Sequence, residues 1–182
     1  MYSLNVPVPA AVARLASDVA AELPGARARD RDEHTLVCKR LGDPGAEGYG
    51  QASPRAGADD AVHRLEARLR EALAGTPPFE ARVDSVGVFA DPPTGPAPVV
   101  YLAVESPGLR EIHGRLCEHF DPVDAIEGDG YVPHVTVARG GDAAAARALE
   151  GNNIGPVEWA VEELVLHDGA RSLPVTRFSL PA

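Results

Sequence analysis

The sequence is poor in the residues that cross-link small folds or bind metals. Its 182 residues include two cysteines, one methionine, one tryptophan and one lysine. The cysteines, Cys38 and Cys117, show neither the spacing of a metal site nor the number needed for a disulfide framework. A reduced compartment is the simplest setting for such a chain, and we expect a cytoplasmic protein.

Long apolar runs are also missing. Near the N-terminus Asp18 and Glu22 interrupt the apolar stretch, so we expect neither a signal peptide nor a membrane partner. The net charge is −10, from 27 acidic and 17 basic residues. This balance excludes an extended nucleic-acid surface, which needs clustered basic residues, but it allows a small basic pocket for one or two phosphates. An acidic, alanine-rich, lysine-poor composition suggests a salt-adapted cytoplasm.

One stretch, residues 131–140 (YVPHVTVARG), carries the residues with the most distinctive chemistry. It predicts a strand, with Pro at its entry, β-branched residues within it and Gly-Gly at its exit. Residues two apart share a face of a strand, so His134 and Thr136 point together, and the valines between them point into a core. Arg139 follows on the same stretch. A proton carrier, a hydroxyl and a guanidinium side by side are suited to a phosphate group.

The rest of the chain predicts an alternation of strands and helices. The expected strands are 2–7, 33–41, 79–90 (with a bulge near Gly87), 99–105, 156–168 and 173–180, and the expected helices are 9–23, 59–74, 106–120 and 142–150. Residues 42–57 are rich in Gly, Pro, Ala and Asp, which predicts a disordered loop or a flap that faces the substrate.

The two halves of the sequence resemble each other. Tyr2 and Tyr101 each begin a strand that is followed by a proline and a helix, and His34 and His134 each begin a run ending in basic residues. The offsets are nearly the same for both pairs. We therefore expect residues 1–182 to form a single domain of two pseudo-symmetric lobes. The two histidines would then lie on opposite walls of one cleft.

Two histidines that face one phosphorus atom can catalyse displacement at a phosphodiester. Attack and departure are in line, so a base acts on one side and an acid on the other. Histidine titrates near neutral pH and serves in either role. Hydroxyls and cations at the nonbridging oxygens stabilise the developing charge. This chemistry requires neither a metal nor a cofactor, and we expect none.

The stretch around His134 resembles the second His-x-Thr-x motif of the two-histidine (2H) phosphoesterases, in the branch of 2′-5′ RNA ligases and RNA 2′,3′-cyclic phosphodiesterases. The order of strands and helices is similar to that family over nearly the whole chain. The resemblance implies an α+β, two-lobed duplicated fold, with antiparallel sheets lining a central cleft and helices packed outside. It also implies that His34 and His134 are the acid–base pair, that Thr136 holds a phosphate oxygen and that Arg139 contacts phosphate.

The first motif departs from the family pattern, because Leu36 stands where the second hydroxyl belongs. Thr35 would point to the opposite face of a regular strand, unless a bulge or register shift turned it. Lys39 has the same offset from His34 as Arg139 has from His134. We expect Lys39, or Arg40 beside it, to compensate by binding phosphate.

These observations predict a monomeric, metal-independent enzyme that hydrolyses 2′,3′-cyclic phosphate at RNA termini to 2′-phosphate, with 2′-5′ ligation as the reverse reaction. Three alternatives remain open at this point. The chain is a module that binds a nucleotide or RNA end without turnover, it hydrolyses a small cyclic nucleotide or ADP-ribose cyclic phosphate, or the two histidines are ordinary surface residues. The sequence shows no metal-ligand spacing and no nucleophile elbow that would favour other hydrolytic sites.

Overall fold

The computed structural model describes residues 1–30, 34–42 and 58–181. In these residues the chain is an α+β protein with nine strands in one antiparallel sheet and four α-helices. The strands are β1 (Tyr2–Val6), β2 (Arg27–Ala28), β3 (Leu36–Gly42), β4 (Phe79–Phe89), β5 (Val99–Glu105), β6 (His134–Arg139), β7 (Asn153–Val161), β8 (Glu163–Asp168) and β9 (Leu173–Ser179). The helices are α1 (Ala10–Ala21), α2 (Ala58–Ala72), α3 (Pro107–His119) and α4 (Ala143–Leu149). The loop or flap expected at 42–57 falls, after Gly42, outside the described residues.

The sheet is built from two groups of four strands. One group runs β7-β4-β5-β6 and the other runs β9-β8-β1-β3, and β3 and β6 meet at the centre. The pairing that joins them is a single residue pair, Leu36 opposite Val135. The two sheets expected from the sequence are thus one continuous sheet. The strands follow the chain in different orders in the two groups, so the two pseudo-symmetric lobes stay a prediction.

Three details differ from the sequence-based predictions. The strand expected at 156–168 is divided at Glu162, because β7 pairs with β4 whereas β8 pairs with β1 and β9. A one-residue link between strands near opposite ends of the sheet requires the sheet to curve back on itself. The bulge expected near Gly87 lies instead at the register shift between Val83 and Ser85. The short strand β2, paired with β6, was not predicted.

The helices cover the sheet with apolar faces that the sequence pattern predicts. Helix α1 buries Val12, Ala13, Ala16 and Val19, and it packs against β6. Helix α3 starts where Ser106 accepts a hydrogen bond from the Leu109 N–H (3.2 Å), with Pro107 in the first turn. It packs against β3 and β4, behind the strands that carry the candidate site. No helix in the described part of the chain is long and apolar enough to cross a bilayer.

Candidate functional site

A pocket of about 270 Å³ lies at the centre of the sheet, where the strand that carries His134 meets β3. Two guanidinium side chains, Arg40 and Arg139, share its wall with His134. The remaining lining is mostly apolar and comes from Val37, Phe89, Asp91, Pro92, Pro93, Thr94, Val99, Ala125, Ile126, Gly130, Tyr131 and Val132. A cationic group next to an apolar wall is suited to a ligand that has both a phosphate and a flat ring.

The imidazole of His134 is held in one orientation by a backbone bond and two aromatic rings. Its Nδ1–H donates to the carbonyl oxygen of Val132 (2.7 Å). Because a carbonyl only accepts, Nδ1 carries the proton and Nε2 keeps its lone pair. The rings of Phe89 and Tyr101 stack on each other (centroids 4.2 Å apart) and meet the imidazole edge to face at 5.2 and 5.3 Å. Thr136 lies on the same face of β6 and pairs with Tyr101 on β5.

Burial lowers the pKa of His134, and the positive charges of Arg40 and Arg139 lower it further, against the opposing effect of the Val132 carbonyl. The neutral ring is therefore the resting form near neutral pH, and Nε2 is available as a base. Burial and the charges of Arg29 and Arg40 likewise lower the pKa of Arg139. These guanidinium groups repel one another, and an anion bound between them would relieve that repulsion.

The position of Arg139 is determined by the turn after β4. Its guanidinium donates to the carbonyl oxygen of Thr94 (2.9 Å). A Cβ built on Gly95 would lie 3.2 Å from the same guanidinium, so glycine leaves room for this contact, and its φ of +79° also favours glycine. The expectation that Arg139 faces a phosphate site agrees with its place in the pocket wall, although the contact itself remains a prediction.

Lys39 does not lie where the sequence predicted. Along the β1–β3 pairing, Asn5 lies opposite Val37 and Leu4 lies opposite Lys39, so Cys38 is an extra residue on β3. This bulge turns Lys39 into the interior, where its exposed fraction is 0%. Arg40 consequently reaches the pocket that Lys39 was expected to reach.

The ammonium of Lys39 is already fully hydrogen-bonded. It lies 2.5 Å from the Glu127 carboxylate and donates to the carbonyl oxygens of Arg40 (2.9 Å) and Asp121 (3.1 Å). A lysine has three N–H groups, so none remains for a phosphate. The assignment of Lys39 as a phosphate ligand is therefore corrected, and its role is to fasten the loop 121–131 to β3.

The same loop is anchored at two further points, and it supplies Ala125, Ile126, Gly130 and Tyr131 to the pocket wall. Glu127 also accepts from the backbone N–H groups of Arg40 (2.6 Å) and Val123 (2.9 Å). His113 on α3 donates from Nδ1 to the Cys38 carbonyl (2.8 Å) and accepts at Nε2 from the Gly128 N–H (2.9 Å). Burial lowers the pKa of His113, so it bridges the two segments as a neutral ring.

Tyr131 completes this anchoring. Its ring stacks on the imidazole of His113 (centroids 3.7 Å apart), and its hydroxyl donates to the Val37 carbonyl (2.7 Å). Only 7% of the residue is exposed. Tyr131 therefore packs against α3 and β3.

His34 does not face His134 as the sequence predicted. Leu36 and Val135 are paired across β3 and β6, and both are fully buried. Directly opposed residues share a face, so alternation places the position of His34 with Leu36 and Val135, and it places His134 with Val37 on the other face. Only 8% of His34 is exposed. Its Nδ1–H donates to the Thr136 carbonyl (3.2 Å), and its buried Nε2 has no hydrogen-bond partner in the described residues.

The sequence offered Arg40 as the alternative to Lys39, but it gave no signal that favoured Arg40, because the bulge that exposes it has no proline or glycine to mark it. The sequence did not single out Phe89 as a member of the site. Phe89 ends a strand and looks like ordinary packing. Within residues 1–30, 34–42 and 58–181, no group of three or more His, Cys, Asp and Glu side chains is placed to hold a metal.

Comparison with known proteins identifies the family. A model of the 2′-5′ RNA ligase superfamily matches residues 52–172, which is more than half of the chain. The chain belongs to this superfamily. The matched region contains His134, Thr136 and Arg139 and begins after His34. A search of curated proteins returned no match.

Solved structures of LigT and of two other proteins share the fold. Escherichia coli LigT in complex with 3′-AMP is 20% identical, with a TM-score of 0.65 over 100% of this chain and 98% of that chain. A protein described as a phosphoesterase is 19% identical with the same TM-score and the same coverage. A Thermus thermophilus protein is 19% identical, with a TM-score of 0.59 over 98% of this chain and 97% of that chain. The superfamily supports a 2H phosphoesterase or 2′-5′ RNA ligase-like function for the chain.

Proposed function

We propose that the protein hydrolyses 2′,3′-cyclic phosphate at RNA termini to 2′-phosphate. The observation that carries the proposal is the grouping of His134, Arg40 and Arg139 around one small pocket. In a protein with a net charge of −10, such a cluster of positive charge indicates an anionic ligand. Superfamily membership supports a phosphate ester as that ligand.

In the proposed reaction, a water oxygen forms a bond to phosphorus as the bond from phosphorus to O3′ breaks. His134 Nε2 takes the proton from the water or delivers one to O3′, and solvent carries out the other of these two proton transfers. Arg40 and Arg139 neutralise the nonbridging oxygens, and the Thr136 hydroxyl donates to one of them. With a 5′-hydroxyl of another RNA in place of water, the same displacement forms a 2′-5′ linkage.

The pocket supports recognition of one terminal nucleotide rather than a long RNA. Its volume is about 270 Å³, and Phe89 with the neighbouring prolines provides an apolar wall for a base. The acidic surface elsewhere would repel a long phosphate backbone. LigT, which shares the fold, has been solved with ATP, 3′-AMP and NADP⁺, each of which contains an adenosine phosphate.

The experiment is to incubate a short RNA ending in 2′,3′-cyclic phosphate with the purified protein in EDTA and at high salt. We expect the cyclic phosphate signal in the ³¹P spectrum to be replaced by that of a 2′-phosphomonoester. The matched variant His134→Asn should lower kcat/KM by roughly 10²–10⁴-fold, because it removes Nε2 while retaining a donor to Val132. Formation of 3′-phosphate, or no conversion at all, would contradict the proposal.

A second function, binding of a nucleotide or RNA end without turnover, is favoured by the burial of His34. It predicts that the wild-type protein binds adenosine 2′-phosphate but converts neither cyclic-phosphate RNA nor 2′-5′ linkages. Hydrolysis of a small cyclic nucleotide is also consistent with the small pocket. A comparison of kcat/KM for adenosine 2′,3′-cyclic phosphate and for a cyclic-phosphate oligonucleotide distinguishes that activity from RNA-end processing.

A further inference from the structure

We infer that His134 alone, of the described histidines, transfers protons in the cleft, and that His34 is a positioning residue that holds the strand carrying His134. The inference rests on the proposed function and specifies its mechanism. It replaces the symmetric acid–base pair that the sequence suggested with a site that has a proton carrier on one side only.

The register at the centre of the sheet is the first argument. Leu36 on β3 lies opposite Val135 on β6. On the other side of β3, Val6 of β1 lies opposite Leu36 and Asn5 lies opposite Val37. Leu36, Val135 and Val6 are all buried in the core, whereas Val37 lines the pocket. If Leu36 were paired one residue further along β6, both histidines would lie on one face of the sheet. The observed pairing of Leu36 with Val135 places them on opposite faces.

The accessibility of the reactive nitrogen is the second argument. A general acid or base must come within hydrogen-bond reach of the substrate. The Nε2 atom of His34 is buried, and the side chain is not part of the pocket wall that contains His134. The cleft face of β3 presents Val37, whose side chain transfers no proton.

The hydrogen bond of His34 supplies its positioning role. Its Nδ1–H donates to the carbonyl oxygen of Thr136, two residues after His134 on β6. β3 and β6 are joined by a single residue pair, so this side-chain bond is a substantial part of their connection. It therefore helps to fix the strand that presents the His134 imidazole and the Thr136 hydroxyl.

One chemical consequence is testable with an aryl phosphodiester. A 4-nitrophenolate leaving group departs without a proton, so its displacement by water needs proton transfer to one base only. In bis(4-nitrophenyl) phosphate the water oxygen bonds to phosphorus, the bond to one aryl oxygen breaks, and His134 Nε2 takes the proton from water. We expect the protein to hydrolyse this compound with a dependence on Nε2 of His134 and not on Nε2 of His34.

The decisive comparison uses the same substitution at both positions. Asn places its amide N–H near the site of histidine Nδ1, so His34→Asn and His134→Asn each keep the bond to a backbone carbonyl and lose Nε2. For cyclic-phosphate RNA we expect kcat/KM to fall by roughly 10²–10⁴-fold in His134→Asn and by less than about 10-fold in His34→Asn. The acid limb of the pH profile should persist in His34→Asn. Equal losses in the two variants, with loss of that limb in both, would overturn the inference.

A measurement that needs no turnover separates this inference from the proposed function. In the wild-type protein, histidine ring nitrogen resonances are followed by NMR as adenosine 2′-phosphate is added. We expect the His134 resonances to shift and those of His34 to stay within the change seen for His113, which is buried outside the pocket. A shift of the His34 Nε2 resonance larger than that of His113 would overturn the inference. Absence of all turnover with this NMR result would overturn the proposed enzymatic function and proton transfer by His134, and it would leave the exclusion of His34 from the cleft standing.

Discussion

Lys39 and Glu127 form an ion pair with 2.5 Å between the ammonium and the carboxylate, and both side chains have an exposed fraction of 0%. Lys39 precedes the pocket residue Arg40, and Glu127 belongs to the loop 121–131 that forms part of the pocket wall. The pair thus joins the two segments on either side of the candidate site. Removal of one partner leaves an unpaired charge in the interior, which is far more costly than loss of an exposed ion pair.

We expect Lys39→Met to lower the free energy of unfolding by roughly 3–5 kcal/mol, because Glu127 would remain buried without its counter-charge. The measurement is chemical denaturation followed by circular dichroism. The matched control is Arg177→Met, which removes an ion pair with Glu163 in which the arginine is 61% exposed. That change should cost no more than about 1 kcal/mol. Similar losses in the two variants would contradict the role assigned to the buried pair.

The same pair predicts a pH dependence of stability. Burial alone would raise the pKa of Glu127, but hydrogen bonds from Lys39, Val123 and Arg40 outweigh burial and hold the pKa below its ordinary value. A carboxyl group whose pKa is lower in the folded state stabilises the fold above the pKa of the unfolded state. This contribution is lost as the pH falls through the folded-state pKa.

We therefore expect the free energy of unfolding to decrease with acidification below the ordinary pKa of a glutamate, and to decrease less steeply in Glu127→Gln. Denaturant titrations at a series of pH values test this. Glu163→Gln, at the exposed ion pair with Arg177, is the control and should keep the wild-type slope. A slope in Glu127→Gln equal to that of wild type would show that another group titrates.

The lowered pKa of His134 predicts the acid limb of the activity profile. A general base works in its deprotonated form, so kcat/KM falls as the pH decreases through the pKa of the free protein. Burial and the charges of Arg40 and Arg139 place that pKa below the ordinary value for histidine.

We expect Arg40→Met to move the acid limb to higher pH and to weaken binding of adenosine 2′-phosphate. Arg82→Met, at a half-exposed arginine on β4 that pairs with Glu158, should leave the limb in place. A limb that moves to lower pH in Arg40→Met would contradict the electrostatic cause.

Gly87 makes room for the aromatic ring that supports His134. A Cβ at Gly87 would lie 2.3 Å from an atom of the Tyr101 ring, which pairs across β4 and β5. We expect Gly87→Ala to lower the free energy of unfolding by roughly 1–3 kcal/mol and to reduce activity, because displaced Tyr101 no longer packs against the imidazole. Gly114→Ala is the control: it lies in α3, and outside the adjoining helix backbone no atom of the described residues lies within 4 Å of the added Cβ. Alanine should stabilise the helix by up to about 1 kcal/mol. Equal thermal stability of the two variants would contradict the packing argument.

Local sequence was sufficient for most of the secondary structure and for the shared face of His134 and Thr136. Helix α3 begins at Ser106 and Pro107 because the cap and the proline act on adjacent residues. His134 and Thr136 share a face because alternation is a property of any strand, whatever it pairs with. The family resemblance, which the superfamily match confirms, was likewise carried by the stretch around His134.

What only the tertiary structure decided is the register between segments that are distant in the sequence. The pairing of Leu36 with Val135 separates His34 from His134, and the bulge at Cys38 exchanges Lys39 for Arg40 at the pocket. Both features depend on hydrogen bonds and packing between strands. The sequence of a single strand shows the same alternation in either register. The sequence therefore determined which residues alternate along each strand, and the pairing of the strands determined which of them meet in the cleft.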